Sequence, residues 1–236
     1  MMASVHVSDV GVAKAITTLA LASRLRHVEG LRHANVGIAA PLSRSPLRRP
    51  QPGRLGLVAF RDSDEALTAF ETSHPLAKSF NGGWSARLAP LRAFGHWPGL
   101  ADDVARSRAV DDDVPVVVVT LGRLRMSQAP RFFRTSARAE GAAIEAPGLL
   151  WATALALPPF VCTVSVWRSA RESATYAYAH ADVAHPAAIA ADRRKAFHHE
   201  EAFVRFRPLA VRGALNGRNA FDGAPWVAES YMTTGH

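Results

Sequence analysis

With a single cysteine, Cys162, in 236 residues, this chain cannot be braced by an internal disulfide. No apolar run approaches the roughly 20 residues needed to span a bilayer. A signal peptide is missing as well. Residues 10–22 are apolar, but Lys14 and two threonines interrupt them, and Asp9 stands where a basic segment would precede them. These absences point to a cytoplasmic protein. Catalytic and metal signatures are equally scarce. Gly-x-Ser-x-Gly is absent, Gly82-Gly83 lacks the Lys-Ser/Thr of a phosphate loop, and no His-x-x-x-His, Cys-x-x-Cys or paired-carboxylate spacing suggests zinc or non-haem iron. Cys162 lies in the apolar run Phe160-Val-Cys-Thr-Val-Ser-Val-Trp167, an environment that raises a thiol pKa and makes it inert. Asp111-Asp-Asp113 reads as a solvated carboxylate run.

What is present belongs to a globular chain: 48% hydrophobic and 20% charged residues, enough to bury one large core or two small ones. The net charge of +8 is uneven, because residues 1–60 hold eight Lys/Arg against Asp9 and Glu29. A basic N-terminal third suits an anionic partner or, more simply, an arginine-rich soluble surface. No Lys-rich tract or helix-turn-helix signal supports nucleic acid.

Apolar residues at helical spacing predict a helix over residues 7–28, and His33 to Ala40 reads as a strand followed by a surface loop over 41–53. One pattern then occurs twice. Arg54-Leu-Gly-Leu-Val-Ala-Phe60 is a strand, and Arg61-Asp-Ser-Asp-Glu-Ala-Leu-Thr-Ala-Phe70 is a helix capped at Ser63 or Asp62. Phe160 to Trp167 is again a strand, and Arg168 to Tyr178 is a helix with Ser169 and Glu172 at capping-box spacing. Each helix runs to a His-Pro pair, His74-Pro75 and His185-Pro186, and each segment ends in a strand, Ala86 to His96 and Ala202 to Arg212. The two strand-to-helix junctions are 107 positions apart.

With Val114 to Leu121 as a buried strand, Met126 to Ala139 as a helix and Gly148 to Leu157 as a strand before the Pro158-Pro159 turn, the second copy reads β-α-β-β-α-β. The first copy has only Ala3 to Val7 for its opening strand. The expected fold is α+β, with two tandem ferredoxin-like half-domains of the dimeric α/β-barrel type in one chain. They cover residues 1–100 and 114–215, with a linker at 101–113 and a tail at 216–236 that Phe221 and Trp226 dock. Two such half-domains pair sheet to sheet and enclose a cavity. Trp84, Trp151, Trp167, Phe132 and Phe133 either line that cavity or fill the core.

The second half resembles the spheroidene monooxygenase family of carotenoid biosynthesis. The likeness is carried by Pro115-Val-Val-Val-Val-Thr-Leu-Gly-Arg-Leu-Arg-Met-Ser127, Arg131-Phe-Phe133, Thr163-Val-Ser-Val-Trp167, His185-Pro-Ala-Ala-Ile189 and Glu200-Glu-Ala-Phe-Val-Arg-Phe-Arg207. It covers residues 114–212 well and the first half loosely. The resemblance implies a dimeric α/β barrel, oxygen insertion into a carotenoid-like apolar substrate, b-type haem with molecular oxygen as co-substrate, and an electron donor.

Haem iron needs an axial ligand, commonly a neutral imidazole. His185 coincides with the family pattern, although its repeat at His74 also fits helix punctuation by Pro at N1. His198, His199 and His74 are its rivals. Read as helical neighbours, His198 and His199 cannot both face a cavity. His180 is expected at the surface. Arg131 and Arg205, with Arg134 and Arg207 nearby, are candidate propionate partners, and Phe132, Phe133 and Trp167 candidate pocket walls. Peripheral membrane contact and homo-oligomerisation are compatible with this reading. The alternatives are a cofactor-free barrel monooxygenase or isomerase, and a non-catalytic haem-binding protein.

Overall fold

The computed structural model describes residues 1–22, 28–47, 49–101, 104, 113–178 and 195–222. Eight strands and five helices alternate along them. The first four strands are β1 (Met2–Asp9), β2 (Leu31–Ala40), β3 (Gln51–Arg61) and β4 (Trp84–Gly95). Helix α1 (Val12–Ala22) follows β1, and α2 (Asp64–Ser73) and α3 (Pro75–Ser79) follow β3. The next four strands are β5 (Val116–Leu124), β6 (Leu149–Leu157), β7 (Phe160–Trp167) and β8 (His198–Arg212). Helix α4 (Ala129–Glu145), entered through a 3-10 turn at Met126–Gln128, follows β5, and α5 (Ala170–Tyr178) follows β7.

The strands close into one antiparallel barrel in the order β1-β3-β2-β6-β7-β5-β8-β4. Within β1–β4 the first strand pairs with the third and fourth, and the second with the third. The same pairings recur within β5–β8. Two seams join these sets, β2 to β6 and β4 to β8. Closure leaves no free sheet edge to template aggregation.

Strand alternation sends one set of side chains into the barrel and the other outward beneath the helices. Inward, Val5, Val58, Trp84, Leu88, Val119, Leu155, Val164 and Phe206 form one core. Aromatics plug its ends. Trp84 meets Trp151 at 5.1 Å and Phe221 at 6.5 Å, and Trp97 meets Phe160 at 6.1 Å. Among the described residues, side chains fill the barrel interior where an enclosed cavity was expected. Phe221 docks the tail as expected, and Trp226 lies outside the described residues.

β1 is a full strand, not a poor one. All six residues from Ala3 to Ser8 are buried, because one face meets the barrel core and the other lies under α2 and α3. Its outward residues Ser4, His6 and Ser8 are polar, which hid the strand from a reading of apolar pattern. The helix expected over 7–28 correspondingly begins at Val12. Both serine caps form. Ser63 Oγ accepts from the Ala66 N–H, and Ser169 Oγ accepts from the Glu172 N–H at 3.1 Å while donating to the Glu172 carboxylate. By pairing, Arg61 and Trp167 are the equivalent strand ends, one residue off the junctions aligned by sequence. The linker lies largely outside the described residues. No helix among them is long and apolar enough to cross a membrane.

Candidate active site

Helix α4 lies across the outer face of β5, β7 and β6, and the residues under it are small. The outward positions of β6 are Ala152, Ala154 and Ala156, and those of β5 at this level are Thr120 and Gly122. Phe132 and Phe133 of α4 stand off this shallow floor and leave a small recess of about 70 Å³, open to solvent on one side. Val161 and Thr163 of β7 complete the floor, and His198 and Glu201 of β8 close one wall. The recess is thus mostly apolar, with one imidazole and one carboxylate.

Those two groups share a face because β8 is irregular. Glu201 lies opposite Gly122, Glu200 opposite Arg123, and the next partner of Leu124 is His198, so His199 is skipped. In a regular strand, residues three apart point to opposite faces. The bulge at His199 re-aims His198 to the side of Glu201, as bulges beside functional sites do. His198 Nδ1 then lies 3.0 Å from Glu201 Oε2. In the neutral tautomer with the proton on Nδ1, this contact is an N–H donation to the carboxylate, and the lone pair stays on Nε2. The ring packs edge-on against Phe132 at 5.1 Å. It lies directly over Gly122, where an added Cβ would sit 2.6 Å from Nε2 and 2.5 Å from Cδ2. The missing side chain at Gly122 is the cradle for this imidazole.

The other residues singled out in the sequence are dispersed. Arg131 is at the rim, donating to the Lys195 carbonyl at 2.7 Å and lying 4.4 Å over the Phe197 ring. Trp167 and Arg205 share the outer face but sit under α5, away from the recess. Trp167 stacks on Tyr176 at 5.0 Å, and Arg205 donates to Ser173 Oγ at 3.2 Å. His74 caps α3: its Nδ1 accepts from the Leu76 N–H at 3.1 Å, and its ring stacks on Phe70. That is the punctuation role. His198 and His199 lie on a strand rather than a helix, and His199 is exposed. His180 and His185 lie outside the described residues. Cys162 is buried, and burial pushes its thiol far up. Among the described residues no three His, Cys, Asp or Glu side chains gather to hold a metal ion.

Sequence reasoning missed Glu201 and Gly122. Both lie in the runs that carry the family resemblance, but nothing local signalled the bulge that brings His198 to the side of Glu201.

Fold and recess together define an eight-stranded α/β barrel closed by one chain and carrying an apolar pocket with a carboxylate-held imidazole. Within that class the chain is a homologue of spheroidene monooxygenase. It is 33% identical over 176 residues to the protein of that name from Rubrivivax gelatinosus, an alignment covering 72% of this chain and 66% of the relative. The match thus spans just under two thirds of the relative's length. No protein-family model matches the chain. Among solved structures, an aldoxime dehydratase is similar over 88% of this chain and 80% of its own, with 9% identity and a TM-score of 0.48. A heme-degrading enzyme from Listeria monocytogenes is similar over 85% of this chain and 98% of its own, with 16% identity and a TM-score of 0.30.

Proposed function

We propose that the chain is a haem-dependent monooxygenase acting on an apolar, carotenoid-like substrate at the recess between α4 and the outer face of β5, β6 and β7. The reading also takes the barrel as two ferredoxin-like units fused in one chain, because one pairing order occurs in both strand sets. The observation that carries the functional reading is His198, buttressed by Glu201 and cradled by Gly122 against an apolar wall.

The side chains present match the donor set of a haem site, although the recess would have to open to admit the macrocycle. A neutral imidazole oriented by a carboxylate is a strong iron-ligand arrangement, and the outer hydrogen bond raises the basicity of the ligating nitrogen. Gly122 leaves the ring room to lie on the strand, and Phe132 and Phe133 offer flat apolar surface. Arg131, over the Phe197 ring beside His198, is a cationic partner for a propionate. Bound there, haem would supply the oxygen chemistry. The chain's own part is to present Nε2, keep water from the apolar floor and hold an apolar substrate against it. Monooxygenation puts one oxygen atom into the substrate and reduces the other to water, so the protein needs an external donor of two electrons. The name of the Rubrivivax relative supports both the reaction class and the substrate class.

Titration with haemin, followed by absorbance, tests this. The expected result is a one-to-one Soret band that His198→Ala abolishes and His74→Ala leaves intact. If His185→Ala abolishes the band and His198→Ala does not, the ligand is His185. No uptake at all would overturn the haem reading and leave a cofactor-free barrel enzyme.

A further inference from the structure

The seam between β4 and β8 brings two arginines together. Arg92 and Arg205 are partners in the register of this antiparallel pair. Their neighbours Ala93, Val204 and Phe206 point into the barrel core, so both guanidiniums turn outward, beneath α5. Like charges directly opposite on adjacent strands destabilise a sheet. Here burial sharpens the conflict, because Arg92 is only 6% exposed. Its Nη2 reaches the Tyr178 hydroxyl at 3.5 Å, its Cζ lies 4.4 Å over the Phe94 ring, and its Nε and Nη1 have no hydrogen-bond partner. Arg205 spends one donor on Ser173 Oγ. Burial and the Arg92 charge both lower its pKa. Among the described residues no carboxylate pairs with either guanidinium.

Two adjacent guanidiniums with spare N–H groups, a phenol hydroxyl at their edge and, among the described residues, no counter-charge form a receptor for an anion. The planar fork of arginine matches the oxygens of a carboxylate or phosphate, and such charge-assisted bonds offset the burial of the cation. We propose that Arg92 and Arg205 form an oxyanion site, which takes one carboxylate or phosphate group between the two guanidiniums with the Tyr178 hydroxyl as a third donor. None of these residues lines the recess under α4, so the site stands apart from the proposed haem pocket.

Thermal unfolding of the full chain at constant ionic strength set by chloride tests the site, with sodium phosphate and sodium acetate as separate probes. One of them should raise the midpoint saturably, by roughly 5 °C at a hundredfold excess over Kd. Whichever acts at the lower concentration identifies the group. Arg205→Lys keeps the charge but loses the fork and should weaken the effect at least tenfold, Tyr178→Phe should weaken it several-fold, and Arg92→Gln should abolish it. In buffer without either probe, Arg205→Gln should melt no lower than the wild type, because it removes a repulsion. A purely structural arginine would instead leave this variant less stable. If Arg92→Gln does not fold, Arg205→Lys and Tyr178→Phe carry the test. A midpoint no higher in phosphate or acetate than in chloride, or an unchanged dependence in those two variants, would overturn the proposal.

Discussion

A single hydrogen atom at residue 122 leaves space for the imidazole of His198. Gly122→Ala would set a Cβ 2.6 Å from Nε2 and 3.2 Å from Val161 Cγ2, so the ring must leave the strand. Haemin affinity should fall at least tenfold while the far-ultraviolet circular dichroism stays native. An unchanged Soret titration would show that His198 holds no haem. A second residue-scale prediction concerns His6, on the outer face of β1 against Phe70 and Phe80. Burial, followed by the charges of Arg61 and Arg87, lowers its pKa from 6.5 to about 3. Between those values the unfolded chain binds a proton that the folded chain refuses. Stability from this group is therefore unaffected above about pH 6.5 and is lost as the pH falls toward 3, by roughly 1.4 kcal/mol per unit at the steepest. Urea unfolding at pH 7 and pH 4.5 should show a smaller loss for His6→Gln than for the wild type. Arg61 is a third case. It is wholly buried, its three guanidinium nitrogens lack hydrogen-bond partners, and its Cζ lies 3.9 Å over the Phe70 ring. Replacing such a charge by a side chain of similar volume is often neutral or stabilising. Arg61→Met should therefore unfold at an equal or higher urea concentration than the wild type.

The elements that the sequence specified best are those with local chemistry. Ser63 and Ser169 were legible as caps because a hydroxyl followed three positions later by a backbone donor is a local pattern. Ser63→Ala and Ser169→Ala should each cost about 1 kcal/mol in urea unfolding. A loss well below that at Ser169 would mean that its reciprocal bond with the Glu172 carboxylate adds little. β7 was read from the sequence with its observed bounds, because Phe160 to Trp167 is apolar and Pro158-Pro159 marks its start. β1 was not, since its outward serines and histidine are buried under helices that the chain makes sixty residues later. The bulge in β8 was equally hidden. Its sequence, His198-His-Glu-Glu201, contains no glycine or proline, and only pairing with β5 shows which residue is skipped.

At the scale of the molecule, the barrel closes through β2 with β6 and β4 with β8, so each set of four strands depends on the other to cover its edges. Residues 1–100 expressed alone would expose β2 and β4, and residues 113–236 would expose β6 and β8. Each half should dimerise or aggregate on size-exclusion chromatography rather than elute as a folded monomer. Two stable monomeric halves would show that the seams add little.

The sequence by itself determined the element order, the β-α-β-β-α-β plan of the second half, the caps and the likeness to spheroidene monooxygenase, because these rest on period, turn chemistry and local runs of residues. Phe132 and Phe133, which it named as candidate pocket walls, line the recess under α4. Only the tertiary structure decided that the barrel interior is full and that the usable space lies outside it, under α4. It alone decided that Trp167 and Arg205 stand apart from that space, and that His198 meets Glu201 across a bulge. Those outcomes depend on which strand lies beside which, and such contacts between distant segments leave no periodic trace in the chain.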